Sequence, residues 1–161
     1  MSLQFIIDGY NLLNHPQFRR TSKEALPAAS VLAFIRAGNL TGSAKNKVII
    51  VFDGYPPGNT AGDDFSGAVI IFSRKISADE KIKKLVEETA NRKNIYVVTN
   101  DNEIKFMIKS LGAHALAIED FIKEEKKAKS AASKRKEISN DELNYTQKHN
   151  INEELKKLWL K

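Results

Sequence analysis

Nearly unbroken apolar runs recur along the chain, each cut off by a polar or glycine-containing turn. Leu3 to Ile7 (LQFII) stops at Asp8-Gly9, and Val48 to Phe52 (VIIVF) stops at Asp53-Gly54. Ala68 to Phe72 (AVIIF) and Ile95 to Val98 (IYVV) repeat the form, with a weaker version at Ala113 to Ile118. Short runs of this kind are expected of strands buried on both faces, as in a parallel sheet. Between them the apolar spacing becomes helical. Pro27 suits the first turn of a helix reaching about Ala37, with Val31, Leu32, Phe34 and Ile35 as its apolar side. A second helix is predicted from Ala78 to Arg92, on the spacing of Ile82, Leu85, Val86 and Ala90. Ser77 and Glu80 stand at capping-box separation at its start. A third covers Asn102 to Ser110, ahead of Gly112.

Strands alternating with helices predict an α/β fold, a three-layer αβα sandwich around a mostly parallel, doubly wound sheet. Gly54 to Gly67 (GYPPGNTAGDDFSG) has the composition of a long loop, and long loops in compact domains are commonly functional or disordered. A helical segment begins near Glu119 and passes into a Lys/Ser/Ala-rich stretch from Lys126 to Lys136. Asn152 to Leu160 has the pattern of a short terminal helix, with Ile151, Leu155, Leu158 and Trp159 as an apolar side. The expected organisation is one domain over residues 1–123 and a basic, partly flexible helical extension over 124–161. No internal repeat is present.

Composition narrows the chemistry. Among 161 residues there is no cysteine, which excludes a thiolate nucleophile, a cysteine zinc site and a disulfide framework. The first apolar run is too short for a signal-peptide core or a membrane span, so a cytoplasmic protein without membrane attachment is expected. The net charge of +6 favours polyanionic partners such as nucleic acid. Much of that surplus lies in Lys123, Lys126, Lys127, Lys129, Lys134, Arg135 and Lys136, opposed there by Glu124 and Glu125. This stretch is either an RNA-binding arm working through phosphates or a solvated helix end.

The placement of the aspartates carries the functional signal. Asp8 ends the first strand, Asp53 ends the second, and Asp101 follows the fourth through Thr99-Asn100. Asp79 falls in the first turn of the helix after the third strand. In an open parallel sheet all carboxyl ends of the strands lie along one edge, where ligands bind. Four carboxylates spread over almost a hundred positions are therefore expected in one crevice. Two unit charges about 4 Å apart repel by roughly 4 kcal/mol at an effective dielectric of about 20. A site of this kind either keeps protons or binds a cation. All-oxygen ligands without His or Cys select hard ions, Mg²⁺ or Mn²⁺ rather than Zn²⁺, and such an ion promotes phosphodiester hydrolysis.

Each aspartate also has a plainer explanation. Asp-Gly after a strand is a common turn dipeptide, Asp79 suits a helix dipole, and Asp101 suits a helix cap. The conjunction of four at one edge outweighs any of these singly. Asn11 can orient a carboxylate, touch a phosphate or cap a turn, and Thr99 and Asn100 can bond to Asp101 or to substrate. Glu80 reads as a capping partner, Asp63 and Asp64 as solvated loop charges, and Tyr10 as a buried tyrosine.

The segments IIDGYNLL (Ile6 to Leu13), VIIVFDG (Val48 to Gly54), FSRKISADEKI (Phe72 to Ile82) and VVTNDNEI (Val97 to Ile104) resemble the NYN domains of the YacP type, within the PIN-like nuclease superfamily. The resemblance covers about Leu3 to Phe121; beyond Lys123 no family residue is carried over. It implies a PIN-like sheet of order 3-2-1-4-5 and a metal-dependent endoribonuclease acting on messenger or other single-stranded RNA. It places Asp8, Asp53, Asp79 and Asp101 as catalytic residues, with Asp8, Asp79 and Asp101 on the metal. Asn11, Thr99, Asn100, Lys126 and Lys127 are the expected substrate-binding or supporting groups. RNA is the expected partner, with association to the ribosome a further expectation and no small-molecule cofactor. The competing reading is a non-catalytic RNA- or ribosome-binding domain on the same fold. A phosphatase or receiver-like domain ranks lower, because Asp8 has no second carboxylate beside it.

Overall fold

The five apolar runs form five strands in the computed structural model, which describes residues 2–20, 26–58, 65 and 67–123. The strands are β1 (Gln4–Asp8), β2 (Lys47–Phe52), β3 (Ala68–Phe72), β4 (Ile95–Val98) and β5 (His114–Leu116). They lie in the order β3-β2-β1-β4-β5, and every pairing is parallel. This is the PIN-like order that the family resemblance implies. The helices are α1 (Gly9–Leu13), α2 (Pro27–Gly38), α3 (Ala78–Glu88) and α4 (Asn102–Ser110), followed by a helical segment at 118–123, α5.

Side chains alternate across the sheet and build two cores. On one face Phe5, Ile7, Ile50, Phe52 and Val98 pack with Leu12 of α1, Val31, Leu32 and Ile35 of α2, and Phe121 of α5. On the other, Ile6, Val51, Ile95 and Val97 pack with Ile82 and Val86 of α3 and with Ile104 and Ile108 of α4. The chain runs from β1 to β2 over the first face, and from β3 to β4 and on to β5 over the second. Right-handed crossovers require this, because the two runs move in opposite directions along the sheet. The strand order therefore reverses beside β1, which opens a crevice at the carboxyl ends of β1 and β4.

Several boundaries differ from expectation for identifiable reasons. The second predicted helix stops at Glu88 rather than Arg92. Thr89 is extended, and its hydroxyl donates back to the Leu85 carbonyl at 2.8 Å. Arg92, in a short 3-10 turn (Arg92–Asn94), donates to the Glu87 carbonyl at 3.0 Å. Ala90 is consequently exposed and does not extend the apolar stripe. Helix α1 was not anticipated, since five residues are too few to show a period. Tyr10 is 39% exposed rather than buried, and it stands edge-on to Phe52 with ring centroids 5.1 Å apart. The C-terminal helix, the basic stretch beyond Lys123, and Asp63 and Asp64 lie outside the described residues.

The two Asp-Gly pairs have different physical causes. Gly54 has φ +86°, a left-handed turn that favours glycine. Gly9 opens α1 instead, and a Cβ there would overlap the Phe52 ring. That ring is 1% exposed and stacks on Phe72, so it has little room to move. Gly9→Ala is expected to destabilise the fold by roughly 1–3 kcal/mol through overpacking. The measurement is a urea melt, and a wild-type midpoint would show that Phe52 yields without loss.

Candidate active site

Asp8 is the last residue of β1 and caps α1, accepting from the Asn11 N–H at 3.4 Å and the Asn11 side-chain amide at 3.3 Å. The same Asn11 amide also donates to the Thr99 hydroxyl at 3.4 Å. That hydroxyl accepts the Asp101 N–H at 3.2 Å. Asp101 in turn caps α4, accepting from Glu103 at 2.8 Å and Ile104 at 3.3 Å. One chain of hydrogen bonds thus joins the ends of β1 and β4 across the crevice. Asp53, just past β2, accepts from the Ser73 hydroxyl at 3.0 Å. Asp79 sits in the first turn of α3, behind Ser77, whose hydroxyl accepts the Glu80 N–H at 3.2 Å.

Asp8, Asn11, Asp53, Asp79 and Asn100 line a common open cleft of about 620 Å³, together with Tyr10, His15 and Ser77. Asp101 is not on that wall, but its charge acts on the carboxyls of Asp8 and Asp79. Burial is the main reason that Asp8 ionises above its ordinary value of 3.8. The bonds from Asn11 oppose the rise, and the charges of Asp79 and Asp101 add to it. Asp79 is also raised, first by the protein crowding its carboxylate although the residue is exposed, then by Asp101, Asp53 and Glu103. All four predicted aspartates therefore share one negative field. Among the described residues, however, no three His, Cys, Asp or Glu side chains stand close enough to hold one metal ion.

The supporting residues divide by exposure. Thr99 is fully buried, so its hydroxyl bridges Asn11 and Asp101 from beneath the cleft. Asn100 donates to Glu119 at 2.9 Å and accepts the Ile118 N–H at 2.9 Å, which ties the cleft wall to α5. Lys126 and Lys127 lie outside the described residues.

Sequence reasoning missed four residues of this region: His15, Ser73, Glu103 and Glu119. The His15 ring meets Glu119 at 3.0 Å, 104 positions away in sequence. Its Nδ1 accepts the Gln17 N–H at 3.2 Å, so Nε2 is the donor to Glu119. The His15 bond, then the Glu119 N–H and the Asn100 amide, hold this carboxyl down at about 2 against a smaller opposing effect of burial. No local motif announces such a pair. Glu103 was visible as the residue two past Asp101, and Ser73 as the residue just past β3.

A doubly wound parallel sheet of this order has the PIN-like fold, and its family match marks it as a domain of the RNA-nuclease type. The chain belongs to the YacP-like NYN domain family, whose model matches residues 5–161. The match continues through the basic tail, beyond the Phe121 limit of the motif resemblance. PIN-like nuclease domains generally use divalent metals. The chain is similar to the crystal structure of Rae1 (YacP) from Bacillus subtilis, at 24% identity over 98% of this chain and 92% of that one, with a TM-score of 0.59. The W164L mutant of Rae1 gives 23% identity over 87% and 85%, again with a TM-score of 0.59. At these identities the likeness speaks to the fold. No curated protein matches the chain. No helix among the described residues is long and apolar enough to cross a membrane.

The shifts set the sign of the acid response. Glu119 is lowered in the fold, so its contribution to stability is present above its ordinary 4.5 and is lost as pH falls toward about 2. Asp8 and Asp79 are raised, so theirs is complete below 3.8 and is lost as pH rises through their folded values. Carboxyl-carbon NMR titration should find Glu119 below the ordinary range and both aspartates above it. His15→Ala should return Glu119 toward 4.5. An unmoved Glu119 in that variant would mean that the His15 bond is not formed in solution.

Proposed function

We propose that this chain is a metal-dependent endoribonuclease that hydrolyses phosphodiester bonds in single-stranded or messenger RNA, leaving 5′-phosphate and 3′-hydroxyl ends. The observation that carries the reading is the shared field of Asp8, Asp53, Asp79 and Asp101 at the crevice where the strand order reverses. The donor set fits a hard divalent cation, Mg²⁺ or Mn²⁺, because it is all oxygen and its charges repel one another. Asp8, Asp79 and Asp101 would hold the ion once their side chains turn inward from the wider spacing they have here, with Asp53 as the fourth acidic group. When bound, such an ion neutralises charge on the scissile phosphate and activates the attacking water.

The chain's own residues do the positioning. Asn11 fixes the Asp8 carboxylate through two bonds, and Thr99 keeps Asn11 and the start of α4 in register. Ser73 holds Asp53 at the cleft mouth. Asn100 faces the cleft with its amide already engaged by Glu119 and Ile118, which favours a role in shaping the wall. The basic residues Lys126 and Lys127 would add phosphate contacts outside the cleft, consistent with a polyanionic substrate. Cytoplasmic location and contact with the ribosome belong to the same proposal.

One observation favours a second reading, an RNA-binding domain without turnover. The described carboxylates are not gathered at metal-ligand spacing, and Asp8 and Asp101 are each committed to a helix cap. Turnover separates the two. Mg²⁺ or Mn²⁺ should support cleavage of single-stranded RNA, and saturating metal should raise the unfolding free energy by about 2.7 kcal/mol at a hundred times Kd. Asp8→Asn and Asp101→Asn should each lower cleavage by at least about 100-fold, taking the loss of a ligand to exceed that of a supporting contact. A folded wild-type chain that binds RNA and cleaves none with either ion would establish the second reading.

The tail is tested separately. Deleting residues 126–136 should weaken RNA binding and flatten its dependence on salt, the slope in log–log form being about −0.7 per phosphate neutralised. Metal binding should be unaffected. An unchanged salt slope would remove the tail from the RNA interface.

A further inference from the structure

A second cavity adjoins the acidic cleft. It has a volume of about 330 Å³, and its walls include Tyr10, Pro56, Phe65, Ile70, Phe72 and Arg74. Tyr10 lines both spaces. Most of the lining side chains are apolar or aromatic, the exposed surface is polar and apolar in similar measure, and Arg74 is the one charged side chain on it among the described residues. Its volume is near the lower end for small-ligand pockets, which suits one planar group rather than an extended molecule.

We infer that this cavity is a nucleobase subsite, receiving an unstacked base of the RNA strand whose backbone crosses the acidic cleft. The inference rests on the nuclease or RNA-binding reading given above and deepens it. Arg74 alone can pair with a phosphate or a peptide here, and the aromatic and proline side chains leave their other polar groups without side-chain partners, which is costly. A base has apolar faces for the aromatic walls and acceptors on its edge for a guanidinium. The cavity is also mechanically tied to the acidic site. The Ser73 hydroxyl donates to Asp53 at 3.0 Å and accepts the Gly54 N–H at 3.0 Å. The Gly54 carbonyl then accepts the Arg74 N–H at 2.8 Å. A short hydrogen-bonded path thus links the charged wall of the pocket to a carboxylate of the cleft, so a seated base and Asp53 share one support.

The test is an NMR titration of the full-length chain, without divalent metal, by a short single-stranded RNA and by a fully abasic strand of equal length and charge. The base-bearing strand should shift the amides of Phe72 and Arg74 and give ring contacts to Tyr10. It should bind at least about 5-fold more tightly than the abasic strand, the factor expected for one base stacked on an aromatic wall. Arg74→Gly should erase most of that gain, since its backbone at φ +60° accommodates glycine without strain. Ala68→Phe, which fills the cavity, should do the same; if it fails to fold, Arg74→Gly alone carries the comparison. Equal binding of the two strands, or base-dependent shifts confined to other surfaces, overturns the subsite. Neither turnover nor metal enters this measurement. Base-dependent shifts at the pocket in a chain that cleaves nothing would therefore uphold the subsite and remove only the nuclease reading.

Discussion

Carboxylates crowded by protein and by one another at the carboxyl edge of the sheet are the constraint around which this domain is arranged. Asp8, Asp53, Asp79 and Asp101 come from four separate points of the chain, and each pushes against at least one other. Each is also held by local structure. Asp8 and Asp101 are fixed by the backbone N–H groups of the helices they cap, Asp53 by the Ser73 hydroxyl, and Asp79 by its place in the first turn of α3. The Asn11–Thr99 bridge then couples the Asp8 and Asp101 ends, so neither can turn away independently. The bonds to Asp8 and Asp101 hinder those carboxylates from turning away from one another, whereas Asp53 and Asp79 already reach solvent.

The sheet supplies the meeting place. Because β1 is flanked by β2 and β4, the helices following β1 and β4 leave the sheet on opposite faces and part at its carboxyl edge. Packing enforces this at single positions. Ile7 and Ile6 are both fully buried, yet they belong to different cores. A slip of one residue in β1 would exchange them and turn Asp8 to the wrong side. The close approach of Gly9 to Phe52 starts α1 immediately after Asp8, with no intervening turn. The position of the first carboxylate is thus set by core packing on both sides of it.

Much of this was legible in the sequence, for physical reasons. Strands buried on both faces must be apolar throughout, so IYVV marks β4 to the residue; AVIIF marks β3 as closely, although that edge strand is only partly buried and Val69 is 55% exposed. Asn102–Ser110 was equally plain, with a cap before it and Gly112 after it. Local competition hid the rest. Thr89 ends α3 through a hydroxyl bond that no periodicity reveals, and α1 is shorter than two helical turns. The four aspartates were found because topology, rather than any local motif, brings strand ends together. His15 and Glu119 could not be found that way, since their pairing depends on where α5 lands beside α1, a tertiary fact with no signature at either residue.

The plain and the functional explanations of the aspartates do not exclude each other, and magnitudes show why. Asp8 and Asp101 are helix caps and Asp79 lies in a first turn, so three helix amino ends face this edge. Each such end stabilises a nearby negative charge by about 0.3–1 kcal/mol. A close carboxylate pair in partly buried surroundings repels by several times that, roughly 4 kcal/mol near 4 Å. If capping were the whole purpose, the helix dipoles would leave both Asp8 and Asp79 at or below their ordinary ionisation. Both are raised instead, first by burial and then by the neighbouring carboxylates. Capping therefore positions the charges without offsetting their burial and mutual repulsion. The imbalance is what a hard cation or a protonation equilibrium would remove, and it is tolerable in a fold whose two cores are otherwise well satisfied.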